Sequence, residues 1–131
     1  MPQIDNTLTL LILAAVSPFI GSFLGTLAIR LPARRPVLTG RSQCDHCLHV
    51  LGPRDLVPLL SWFLARGKCR YCGTRLSFYY PAIEIAAFAV VLLAATVTNG
   101  WLLVASCITG WTTLTLAAGW LVRRYGVLNS G

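Results

Sequence analysis

The chain has 131 residues, 56% of them hydrophobic and only 11% charged, with a net charge of +7 and a mean hydropathy of +0.69. Soluble domains carry about 25% charged residues, so the composition excludes an ordinary soluble domain and points to a membrane protein of one small unit. A basic balance also fits nucleic-acid binding, but these cations are too clustered and the remainder too apolar for that reading.

The first predicted element is a spanning helix over residues 8–29, which carry no charge. A span needs roughly 20 apolar residues, with about 17 as the short limit. The run is long for a signal peptide and no Lys or Arg precedes it, so the helix is expected to be retained. Ser17, Gly21 and Gly25 recur every four residues. Such a small-residue stripe lets helices approach closely, and it is expected to pack on the later hairpin, on a membrane protein partner or on a substrate helix. Arg30, Arg34 and Arg35 follow the span and are read as topology determinants and lipid-phosphate contacts.

Residues 30–80 form a polar insert with two Cys-x-x-Cys pairs, Cys44/Cys47 and Cys69/Cys72. Two residues between thiolates let one turn present both sulfurs to a tetrahedral ion, and a second turn closes the shell, which is the spacing of a structural tetrathiolate zinc site. Four thiolates and Zn²⁺ leave a charge of −2, and Arg66, Lys68, Arg70 and Arg75 flank the second pair. An insert this short can hardly build its own core, so the metal would supply folding energy. Gly73 suits a positive φ after the second pair, whereas Leu48 follows the first. His46 and His49 are read as turn or surface residues; replacement of a thiolate by one of them in the ligand set is the alternative. The apolar stretch LVPLLSWFLARG, residues 56–67, reads either as a short interfacial helix with Trp62 at headgroup level or as the floor of the metal unit.

Two further spans are predicted, at residues 82–98 and 101–122, joined by the turn signal Asn99-Gly100 into an antiparallel hairpin. Tyr79, Tyr80 and Pro81 stand at the entrance of the second span, where aromatics favour the interface and Pro the first helical turn. Glu84 is expected in that first turn, at the membrane edge. An acid there is a candidate for function, although a helix N-terminus and nearby arginines would hold it equally well. Cys107, inside the third span, reads as a small buried apolar residue.

Of the 11 Lys and Arg, nine lie between Arg30 and Arg75 and two, Arg123 and Arg124, follow the third span. The positive-inside bias then places the N-terminus outside and both the insert and the C-terminus in the cytoplasm, a reducing compartment that favours metal over disulfides. The expected fold is an all-α, multi-pass inner-membrane protein. It comprises a first span (1–29), a cytoplasmic zinc knuckle or ribbon (30–80) and a helical hairpin with a short tail (81–131). The tail follows a third helix and its arginine anchors, so the topology is expected to end there.

The segments GSFLGTLAIRLP (21–32), the Cys44/Cys47 pair, PLLSWFLARGKCRYCG (58–73) and YYPAIE (79–84) occur in the order found in bacterial prepilin leader peptidases/N-methyltransferases. Over about residues 18 to 90 the chain resembles the N-terminal, zinc-binding and methylation-associated half of that family. The resemblance implies work on type IV pilins or type II secretion pseudopilins: cleavage of a leader, then methylation of the new N-terminal amine by S-adenosylmethionine. The chain departs from the family at Gly25 and Leu56, where Asn is usual, and at Tyr79, where Arg is usual. The family's two peptidase aspartates have no counterpart. The acids are Asp5, Asp45, Asp55 and Glu84, and residues 85–131 contain none; Gly119 to Val122 occupy the place of the first aspartate. Peptide hydrolysis of this type needs one carboxylate to activate water and a protonated one to donate, and no two of these acids are placed to form that pair. Methylation rather than cleavage is therefore the expected activity, with Glu84 the candidate near the reacting amine; no glycine-rich nucleotide loop is present. The alternatives are a non-catalytic small membrane subunit or assembly factor, and a fragment of a longer enzyme.

Overall fold

The computed structural model describes residues 6–32, 34, 42–44, 46–55 and 57–125. Asp5, Arg35, Asp45, Leu56 and the tail after residue 125 lie outside the described residues. Among the described residues, four α-helices occur in the order α1 (Asn6–Arg30), α2 (Leu60–Leu64), α3 (Tyr79–Val97) and α4 (Trp101–Tyr125), with a 3-10 turn at Pro53–Asp55 before α2. Helices α1, α3 and α4 are each long and apolar enough to cross a membrane.

Helix α1 carries Pro18 at its middle. Proline has no N–H, so the carbonyl four residues back loses its donor, a serious loss where no water can replace it. The residue before the proline supplies the remedy: Ser17 Oγ donates to Ala14 O at 2.9 Å. The small-residue stripe lies against α3 of the same chain, and Ser17, Gly21 and Gly25 are all buried. A methyl group added at Gly21 would stand 2.8 Å from Ala87 Cβ, 2.9 Å from Glu84 Cα and 3.1 Å from Ile83 O. The absence of that methyl is what sets the approach of the two helices. Of the expected occupants of the stripe, the later hairpin is the one found, through its first helix α3.

Helices α3 and α4 form the antiparallel hairpin, turning at Gly100 with a φ of +56°. The Gly100 N–H donates to Asn6 Oδ1 at 2.9 Å, which brings the start of α1 and the hairpin turn to one end of the bundle. Ala28, Ile83 and Ala118 pack together at the other. The main core joins Ala87, Val91, Ala94, Leu103, Cys107 and Trp111, with α1 packed against it. Cys107 is fully buried there, and the Trp111 indole N–H satisfies its burial by donating to Ala87 O at 3.0 Å. Outward, large apolar side chains such as Leu11, Phe19, Leu93 and Leu116 remain exposed. On a soluble protein this would be a liability, but on a membrane bundle it is the surface offered to lipid. The hydroxyls of Thr109, Thr112, Thr113 and Thr115 on α4 each donate to a carbonyl three or four residues earlier, so none carries an unmet donor into lipid.

Helix α3 begins at Tyr79, three residues before the expected start of the span. Helical hydrogen bonding extends past the apolar run into the interfacial Tyr-Tyr-Pro, which hydropathy does not register. Glu84 consequently sits in the second turn, not the first.

Candidate metal centre

The insert is built from one local pattern used twice. Around the first pair, Gln43 bridges to Val50. Cys44 N–H donates to His49 O, Leu48 N–H to Cys44 O, and Leu51 N–H to Ser42 O. Around the second pair, Lys68 bridges to Arg75. Cys69 N–H donates to Thr74 O, Gly73 N–H to Cys69 O, and Leu76 N–H to Gly67 O. Each residue of the first knuckle therefore has a counterpart 25 positions later. The turn needs a left-handed residue directly after the second cysteine. Gly73 provides it at φ +73° without cost, while Leu48 adopts φ +57° at about 1–2 kcal/mol. The lack of a glycine after the first pair was visible in the sequence; that leucine would be forced into the same conformation was not.

The two knuckles face each other. The Sγ atoms of Cys44, Cys47, Cys69 and Cys72 all lie within 4.8 Å of one another, with Cys44 to Cys72 at 3.8 Å and Cys47 to Cys69 at 4.0 Å. A tetrahedron with bonds of about 2.3 Å has sulfur–sulfur edges of about 3.8 Å. All four cysteines are free, and their separations are far beyond the roughly 2.05 Å of a disulfide. The arrangement fits a single metal ion and is consistent with zinc. Cys44 and Cys69 are buried and the other two open to solvent. The surroundings of Cys72 and Cys47 act on their thiols in opposite directions. The Thr74 hydroxyl and backbone N–H pull the Cys72 thiol down to about 6. At Cys47 the His49 N–H acts downward, but loss of water and the sulfurs of Cys72, Cys44 and Cys69 together push the thiol up to about 11.

Neither histidine joins the quartet. His46 is exposed in the first turn. His49 stacks on Tyr71 with ring centroids 3.6 Å apart, so it ties one knuckle to the other through its ring. Asp55 completes this clasp: its carboxylate accepts from Gly52 N–H at 3.2 Å and Tyr71 Oη at 3.3 Å and pairs with Arg70 at 3.6 Å. The negative charge of Asp55 pushes the Tyr71 hydroxyl upward.

Glu84 is 5% exposed. Its Oε2 accepts the N–H of Leu59 at 2.6 Å, and the Ser22 hydroxyl is a second donor. The donor that meets it is thus a backbone amide of the insert, not the helix terminus or the arginine that first-turn placement suggested. Leu59 itself has φ +57°, a conformation that a leucine keeps only when its surroundings hold it. Short helix α2 follows, with Trp62 turned inward against Gly67 and Phe78. Leu60, Phe63 and Leu64 stay exposed. The stretch is therefore both floor and surface helix, one face for each. Two of the positions at which the chain departs from the prepilin-peptidase pattern meet in space: Tyr79 Oη donates to Gly25 O at 3.4 Å.

Comparison with known proteins agrees with this architecture. The chain is 42% identical over 66 residues to a prepilin leader peptidase/N-methyltransferase of Bacillus subtilis (strain 168), covering 50% of this chain and 27% of that protein. It is 41% identical over 66 residues to one of Myxococcus xanthus (strain DK1622), covering 50% and 20%. A type 4 prepilin-like proteins leader peptide-processing enzyme of Escherichia coli O78:H11 (strain H10407 / ETEC) is 36% identical over 99 residues, covering 70% and 37%. The chain thus spans well under half the length of these curated relatives. No solved structure matches it. The model of the bacterial peptidase A24 N-terminal domain matches residues 15–98, which run from the middle of α1 through both knuckles to the end of α3, and to that family the chain belongs.

Proposed function

We propose that this chain is a zinc-stapled inner-membrane module of the prepilin-processing type, which handles type IV pilin or type II secretion pseudopilin-like N-terminal segments for methylation and does not cleave them. The observation that carries the reading is the employment of the acids. Among the described residues, Asp55 is spent on the clasp between knuckles and Glu84 on the Leu59 amide. Neither of these two carboxylates is left to share a proton and a water with the other. In this reading Cys44, Cys47, Cys69 and Cys72 hold Zn²⁺, which folds the insert and performs no chemistry. The N-terminus lies outside and the insert and C-terminus in the cytoplasm, in line with the cations gathered at one end of the bundle. Glu84 acts as a positioning residue that fixes the insert against α3.

S-adenosylmethionine enters through family membership alone. Two hollows among the described residues, of about 290 and 160 Å³, have no carboxylate in their lining. That observation favours a second reading, a non-catalytic subunit or assembly factor of a larger membrane complex. One experiment separates the two. Zinc-loaded protein in nanodiscs is given a leader-free pilin peptide and methyl-labelled S-adenosylmethionine. Label on the peptide's N-terminal amine supports the first reading. Its absence with a full complement of zinc rejects methylation by this chain alone, and co-isolation of a stable larger complex then identifies the second.

A further inference from the structure

Helix α2 hangs at the level of the bilayer edge. Leu59, which precedes it, is bonded to Glu84, the sixth residue of α3 and so about 7.5 Å along the helix axis from Tyr79. Tyr79, Tyr80 and Pro81 open α3 as interfacial residues, so the hydrocarbon edge falls near Ala82, about 3 Å along the axis from Glu84, and a group level with Glu84 lies close to that edge. At that level α2 presents Leu60, Phe63 and Leu64, which are 55%, 58% and 65% exposed. Beside them the Pro53–Asp55 turn and α2 border an open hollow of about 290 Å³, lined by Arg54, Val57, Leu60, Ser61, Leu64 and Arg70. Two guanidinium groups and a hydroxyl thus adjoin an apolar floor. Arg70 shares its charge with Asp55, and Arg54 adds a second cation.

We propose that this hollow binds an anionic phospholipid, its phosphate held among Arg54, Arg70 and Ser61 and its acyl chain laid along Leu60, Phe63 and Leu64. Charge and depth together select this occupant. A free phosphate would leave the three apolar side chains uncovered, and a zwitterionic lipid brings an ammonium group toward the arginines. The site is independent of any reaction assigned to the chain.

The test uses the zinc-loaded protein in phosphatidylcholine nanodiscs doped with photoactivatable phosphatidylglycerol or, separately, photoactivatable phosphatidylcholine. Crosslinked peptides are mapped by mass spectrometry. Phosphatidylglycerol is expected to label residues 57–64 about five-fold more than phosphatidylcholine, one arginine's worth of attraction at a lipid surface. Arg54→Gln removes most of that excess while labelling of the outer face of α1, at Leu11 and Phe19, and the zinc content stay constant. Arg70→Gln serves as a second variant. Equal labelling of residues 57–64 by the two lipids overturns the proposal, as does an excess that survives both substitutions. Loss of the excess on adding millimolar inorganic phosphate also overturns it, by assigning the hollow to the free ion.

Discussion

Replacing Gly21, Gly110 and Gly119 one at a time by alanine tests the helix seams while holding backbone propensity constant. All three are interior helix positions, so each substitution gains the same amount, up to about 1 kcal/mol. What the new methyl meets is different at each. At Gly21 it lies 2.9 Å from Glu84 Cα and 3.1 Å from Ile83 O, backbone atoms that cannot rotate away. Carbon atoms rest about 3.5–4.0 Å apart, so α1 and α3 must separate by more than half an ångström along the buried seam. Overpacking of that kind costs about 1–3 kcal/mol. At Gly110 the methyl meets Val90 Cγ1 at 2.5 Å, the end of a side chain that can turn, at about 0.5–1.5 kcal/mol for leaving its rotamer. At Gly119 the nearest atom is Ala28 O at 3.6 Å, an ordinary contact. Thermal unfolding of the zinc-loaded protein in one detergent, followed by circular dichroism, should rank Gly119→Ala highest, Gly110→Ala next and Gly21→Ala lowest. Equal melting of the three, or Gly21→Ala at the top, would refute the claim that backbone contact limits the α1–α3 seam.

The paired knuckles make opposite forecasts for equivalent positions. Leu48→Gly should stabilise the metal-bound insert by about 1 kcal/mol and Gly73→Leu destabilise it by about 1–2 kcal/mol, read as shifts in zinc affinity against a competing chelator. Glu84→Ala strands the Leu59 amide and should cost about 1.5–3 kcal/mol of insert docking. Glu84→Gln keeps an acceptor and should cost less; limited proteolysis of residues 30–78 distinguishes them, with rapid cutting expected only in the alanine variant.

The features legible in the sequence are those that leave a periodic or compositional trace. Three apolar runs announce α1, α3 and α4, and two Cys-x-x-Cys pairs announce four converging sulfurs, because the spacing of ligands on a turn is a local matter. The features that were not legible depend on residues far apart in the chain. Glu84 is 25 positions from the amide it binds, and nothing in YYPAIE indicates which donor it will meet. Tyr79 and Gly25, 54 positions apart, read as two separate departures from the family pattern and prove to be one contact. The stripe of Ser17, Gly21 and Gly25 signalled close packing, but a list of small residues does not name the helix that fills the groove. Leu48 illustrates a third limit: the turn dictates the backbone, and an unfavourable side chain is carried along with it.

The seam between α1 and α3 also acts on everything strung between them. Tyr79 and Gly25 are fastened together, so the segment from Arg30 to Phe78 begins and ends at nearly one point, and its chain entropy is already curtailed before any sulfur finds its ion. The ion in turn draws the two halves of that segment inward and shortens the free tether across the seam. Each closure thus lightens the entropic burden of the other. A lesion in the lipid-embedded groove should be felt as weakened metal retention at the bilayer surface, and chelation should loosen helices that the metal never touches.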